Sequence, residues 1–189
     1  MIYYLIASIL IAVAALFART KRAVLAAGIL FYAVQIAAAG LLLWGGLYDT
    51  TSAAFFTFDA LGTLFYLLLV VVSMYVFGHS EAYLQGEDLR SYRLYFALLM
   101  LLTTAIAGAY FANNLAVTWI FLEATTLCSA GIIYHRRTAQ ALEAAWKYVF
   151  VCSTGIAMAY LGILLLAAAT KCETLSYEAV AEAASSGNP

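Results

Sequence analysis

Charge is scarce in this sequence and proline is nearly absent. Nine Lys and Arg and ten Asp and Glu serve 189 residues that are 66% hydrophobic, and the one proline stands at position 189. A soluble domain carries roughly 25% charged residues and 45–50% apolar ones. So few charges cannot cover a water-facing surface, which excludes soluble globular, disordered and collagen-like chains. Cys128, Cys152 and Cys172 have no CxxC spacing and no histidine beside them. That excludes a disulfide framework and gives neither a metal site nor a redox pair, so they read as small packing residues. No phosphate-binding glycine loop, nucleophile elbow or GxGxxG pattern occurs. The first 18 residues lack the basic start of a secretory signal and read as a helix instead. With a net charge of −1 there is no basic surface for nucleic acid.

Long apolar runs fill the space that the missing classes leave. A spanning helix needs about 20 mostly apolar residues. The sequence predicts six, at about 2–18, 23–48, 60–78, 94–112, 115–134 and 141–169. The expectation is an all-α integral membrane protein, a bundle of six transmembrane helices in contact with lipid. The polar stretch 171–189 reads as a connecting tail, with Tyr177, Val180, Ala181 and Ala184 on one face of a possible short helix.

Seven of the nine basic residues fall in three short loops: Arg19, Lys21 and Arg22, then Arg90 and Arg93, then Arg136 and Arg137. The alternate loops, around Asp49 to Asp59 and at Asn113–Asn114, contain none. The positive-inside rule places the basic loops in the cytoplasm and the N-terminus outside. Tyr3, Trp44, Tyr48, Tyr110, Tyr134 and Trp146 stand near span ends, where interfacial aromatic anchors belong. Gly155, Ala159 and Gly162 have the spacing of a helix-packing face.

Two charged side chains are out of place. Glu123 is near the middle of the fifth span and Lys147 is about two turns into the sixth. A charge at a helix centre costs on the order of 2.5–3.5 kcal/mol on insertion scales, so each must find a partner or water. The two helices form an antiparallel hairpin, and the depths of the two residues differ by roughly 6 Å, within a lysine's reach. Thr126 shares the Glu123 face and offers a hydroxyl for water.

Three arrangements satisfy these charges. Glu123 and Lys147 form a proton-handling pair, in which burial and mutual attraction oppose each other and small changes tip the balance. They form a static bridge that locks the hairpin. Or Lys147 pairs with Glu143, four residues earlier on its own helix, and leaves Glu123 to water or another subunit. Asp59 reads as an N-cap. His79 and His135 end the third and fifth helices on the basic side, where a cation suits the helix dipole or a proton is taken up.

The segment 119–169, with its EATTLCSA run, YHR turn, LEAAWKY and VCSTGIA, resembles the antiporter-like membrane subunits of respiratory complex I and group 4 membrane-bound hydrogenases. Within that superfamily it looks most like component F of hydrogenase-4 and formate hydrogenlyase, and FDALGTLFYLLL at 58–69 looks like the family's approach to its third helix. The resemblance implies a subunit that moves protons or sodium ions, driven by electron transfer in attached peripheral subunits. It also implies a bacterial or archaeal inner (cell) membrane, with sister antiporter-like subunits and peripheral hydrogenase-like and iron–sulfur subunits as partners. Iron–sulfur clusters and a nickel–iron centre would belong to those partners, and this chain would hold no cofactor. The family's helix 5 glutamate falls on Glu123 and its helix 6 lysine on Lys147, with Glu143, His135 and Thr126 as candidate relay or pair partners. Family members have about fourteen helices. The expectation is therefore the N-terminal part of a longer subunit, or half of a split one. The rival reading is a membrane anchor that transports nothing.

Overall fold

The computed structural model describes residues 1–45, 55–170 and 174–186. Cys172, Tyr48 and Asp49, the far end of the second expected span and the ends of the tail lie outside these residues. Helices run in the order α1 (Ile2–Leu16), α2 (Lys21–Leu43), α3 (Ala60–Tyr83), α4 (Leu89–Phe111), α5 (Leu115–Ile133), α6 (Ala139–Thr170) and α7 (Tyr177–Ser186). A 3₁₀ turn, Tyr134–Arg136, joins α5 to α6. The described residues hold no strand, only the isolated bridges Phe56–Ala112 and Asn114–Ser176.

Helices α2 to α6 are each long and apolar enough to cross a membrane, whereas α1, at 15 residues, is shorter. The protein is a multi-pass integral membrane protein with five such helices among its described residues.

Polar residues fix where the helices start. Each helix leaves its first N–H groups without intrahelical partners, and a side-chain oxygen just before the first turn accepts from one of them. Thr20 accepts from the Ala23 amide, Asp59 from Gly62, Asp88 from Ser91, Asn114 from Ala116 and Thr138 from Ala141. These caps explain why α4 begins five residues before the expected span. Asp88 starts the helix in the charged segment, which brings Arg90, exposed in the first turn, and Arg93, half-buried in the next, into α4. Hydrogen bonding from Ser91 also holds the exposed Asp88 carboxyl below its ordinary pKa.

The three basic loops meet at one end of the bundle. Lys21 Nζ donates to the Glu87 carbonyl at 2.6 Å, Arg93 donates to the Ala18 carbonyl at 3.1 Å, and Arg136 pairs with Glu87 at 3.1 Å. At the opposite end, backbone bonds tie Thr57 to Phe111 and Asn113 to Phe55.

Helix α4 is the hub and packs on α1, α2, α3 and α5. One apolar cluster near the basic end joins Phe31, Tyr32, Tyr92, Phe96 and Met100, and a second near the other end joins Tyr66, Val70, Ala107 and Phe111. Buried hydrogen bonds link the helices further. The Gln35 side-chain oxygen accepts from the hydroxyls of Tyr4 at 2.5 Å and Tyr66 at 2.8 Å, and Tyr32 donates to the Ser73 carbonyl at 2.8 Å.

Close helix approach falls on glycines other than those the sequence suggested. A Cβ at Gly28 would lie 2.0 Å from the Phe77 ring, and one at Gly108 would lie 2.3 Å from Phe121. At Gly155 and Gly162 it would meet nothing within 4 Å among the described residues. The expected packing face on α6 is therefore turned away from the described chain.

Candidate functional site

The site lies in the α5–α6 hairpin. Asn114 starts α5 by accepting from the amides of both Ala116 and Val117. Glu123 follows eight residues after Leu115, about 12 Å along a 19-residue helix that is itself about 28 Å long. The carboxylate is thus near mid-membrane, half-buried between the two helices.

Two contacts set the hairpin register. Trp119 donates its indole N–H to the Ile156 carbonyl at 3.0 Å, with its ring 4.6 Å from that of Tyr160. One turn further along α5, Ser153 donates its hydroxyl to Glu123 Oε1 at 3.2 Å.

The expected meeting of Glu123 with Lys147 does not occur in this register. Lys147 lies six residues closer to the turn than Ser153, about 9 Å in depth and two-thirds of a turn around the helix. Its ammonium instead donates to Glu143 Oε1 at 2.5 Å, one helical turn earlier. Both side chains are largely exposed, at 71% for Lys147 and 66% for Glu143. Of the three arrangements open at the sequence level, the geometry matches the one in which Lys147 pairs on its own helix and Glu123 is left to other donors.

Thr126 also differs from expectation. Its hydroxyl donates to the main-chain carbonyl of Glu123 at 2.8 Å, not to the carboxylate. Serine and threonine in helices often bond back in this way. His135 stands beyond α5 in the 3₁₀ turn, buried, about 18 Å along the helix direction from Glu123. Asp59 caps α3 as expected.

Ser153 is the site residue that sequence reasoning missed. Its signal was available. Residues of a tight antiparallel hairpin meet at roughly equal distances from the turn, and that rule puts the VCST stretch opposite Glu123. The reach of a lysine side chain was instead allowed to outweigh helix register.

A hydroxyl is a weak partner for a mid-membrane carboxylate. A single hydrogen bond to a charged group contributes about 1.5–3 kcal/mol, against an insertion cost of roughly 2.5–3.5, so one serine leaves little or no margin. Among the described residues no three His, Cys, Asp or Glu side chains converge in a way that would hold a metal.

One comparison with known proteins falls on this same region. The family described as NADH:quinone oxidoreductase/Mrp antiporter, TM, matches residues 112–188, from the cap of α5 through α7. A protein named hydrogenase-4 component F homolog, from Methylacidiphilum infernorum (isolate V4), is 30% identical over 118 residues, covering 59% of this chain and 25% of the relative. The chain spans about a quarter of the length of that curated relative. Residues 112–188, with Glu123, Ser153, Glu143 and Lys147 among them, are thus similar to the NADH:quinone oxidoreductase/Mrp antiporter membrane family.

Proposed function

We propose that this chain moves protons or sodium ions across a bacterial or archaeal inner membrane, as part of a hydrogenase or complex I-like assembly. In this reading α1 is the sixth span, the N-terminus is outside, and the basic loops face the cytoplasm. The single observation that carries the reading is the half-buried Glu123, held near mid-membrane by a hydroxyl and by no cation. A carboxylate so placed exchanges a proton when the hydration or charge around it changes. Lys147, held by Glu143 on the outer face of α6, tunes that charge across the helix rather than by direct pairing.

The partners in this reading are sister antiporter-like membrane subunits together with peripheral hydrogenase-like and iron–sulfur subunits. Electron transfer through their iron–sulfur clusters and nickel–iron centre drives the movement, and this chain carries no redox centre. The name of the curated relative, a hydrogenase component, supports a multisubunit setting.

Glu123→Gln tests the proposal in the assembled complex. The expected outcome is loss of coupled ion translocation with hydrogen or formate turnover largely retained. An unchanged number of ions moved per electron removes Glu123 from the mechanism and favours a membrane anchor.

A further inference from the structure

At the basic end, a cavity of about 380 Å³ opens between α3, α4 and the end of α5, lined by Tyr75, His79, Ser80, Tyr83, Tyr95 and His135. It is separate from Glu123, and its mostly apolar lining carries a few polar groups.

His135 is 7% exposed. Its Nδ1 lies 2.7 Å from the Ile132 carbonyl oxygen. A carbonyl only accepts, so Nδ1 carries a proton, and in the neutral form of the ring Nε2 is a bare lone pair. That Nε2 is buried and has no hydrogen-bond partner. Ser80 spends its single hydroxyl proton on the Val76 carbonyl at 2.7 Å, so in the 3.1 Å contact between Ser80 and Tyr95 the tyrosine must donate. The Tyr95 oxygen then keeps its lone pairs for a further donor. Two adjacent walls of the cavity therefore present acceptors, and what fits them is a small O–H donor.

Aromatic rings and one ion pair frame the site. Tyr95 stands edge-on to the imidazole at 5.2 Å between centroids and Tyr83 lies at 6.1 Å, so the ring is held in place. Arg136 sits 5.0 Å over the Tyr83 ring and is paired with Glu87. The other titratable groups facing the cavity are His79, Tyr75 and Tyr83 from α3 and Tyr95 from α4. A volume of this size holds several waters, each of which needs polar partners.

We propose that this cavity is a hydrated proton-acceptor site, in which His135 Nε2 takes a proton from water at the basic end of the bundle. An N–H bond forms at Nε2, an O–H bond of a hydrated proton breaks, and water is left behind. The site supplies the uptake end of the proton movement inferred above and rests on that reading.

Nitrogen-15 spectra of the two histidines test it, with the chain in lipid nanodiscs and His79→Gln used to assign the signals. At alkaline pH the His135 signals should be those of an Nδ1–H ring with Nε2 bare. On acidification Nε2 should gain a proton that exchanges with water. A ring protonated at Nε2 alone, or an Nε2 that never exchanges with water, overturns the proposal. In the complex, His135→Asn retains an amide donor for the Ile132 carbonyl and removes the basic ring nitrogen. It should slow proton uptake about a hundredfold, the lower end of general-base effects, with assembly unchanged. Ion translocation at full rate in His135→Asn sinks this proposal alone. A His135 that protonates from water in a complex that moves no ions sinks the reading of function instead.

Discussion

Helices α1–α4 and helices α5–α6 are built from similarly apolar sequence, yet they are buried to very different degrees within the chain. Over half of the spanning window of α4 is buried, against 6% for α5 and none of α6. Apolarity cannot account for this, because lipid tails receive leucine as readily as another helix does. The difference lies in small residues and buried hydrogen bonds. The first four helices have Gly28 under Phe77 and Tyr4 and Tyr66 on Gln35, and Gly108 of α4 takes the Phe121 ring of α5. Helix α6 packs on α5, the 3₁₀ turn and α7, and turns Trp146, Phe150, Val151 and Leu165 outward. One half is packed within the chain, and the other presents Glu143 and Lys147 on an outward face.

The sharpest way to break that comparison is to make the same substitution in both halves. Gly28→Ala drives a methyl into Phe77, which is itself held between Tyr32 and Phe96. Overpacking of this kind costs about 1–3 kcal/mol. Gly155→Ala meets nothing and should be neutral or stabilising by about 0.5–1 kcal/mol, the helix preference for alanine over glycine. Thermal unfolding of both variants in detergent should therefore shift in opposite directions. A similar loss in both would mean that α6 is packed as tightly as α4.

Removing single polar contacts should give a smaller difference in the same sense. Tyr66→Phe leaves the Gln35 oxygen with Tyr4 as its one tyrosine donor and should cost about 1 kcal/mol. Lys147→Met breaks only an exposed pair and should change the stability of the chain by less than about 0.5 kcal/mol. Equal effects in the two variants would contradict the assignment of Lys147 to the outer face of α6.

Much of this fold was legible in the sequence, for identifiable reasons. Spans follow from apolar length, and Asp59 reads as the cap of α3. The caps Thr20, Asp88, Asn114 and Thr138, whose short polar side chains also accept from free amides, went unread, so the expected start of α4 falls five residues late. The basic loops read from charge counting come together through Lys21, Arg93 and Arg136. The short helix suspected in the tail is α7, with Val180 buried. Which glycine receives an aromatic ring was not legible, because spacing of small residues marks a possible contact and says nothing of what lies opposite. In the site, Glu123 stands out because a mid-span charge is costly. Its neighbour was misjudged because Lys147 satisfies a charge rule on its own helix, while Ser153 carries no charge to draw notice.

The central claim is that Glu123 exchanges a proton near mid-membrane. Infrared difference spectroscopy of the complex, stepped in pH or driven by its electron donor, reads this directly. The account predicts a protonated-carboxyl band that appears and disappears with the step and is missing from Glu123→Gln. An unchanged spectrum in that variant would contradict it.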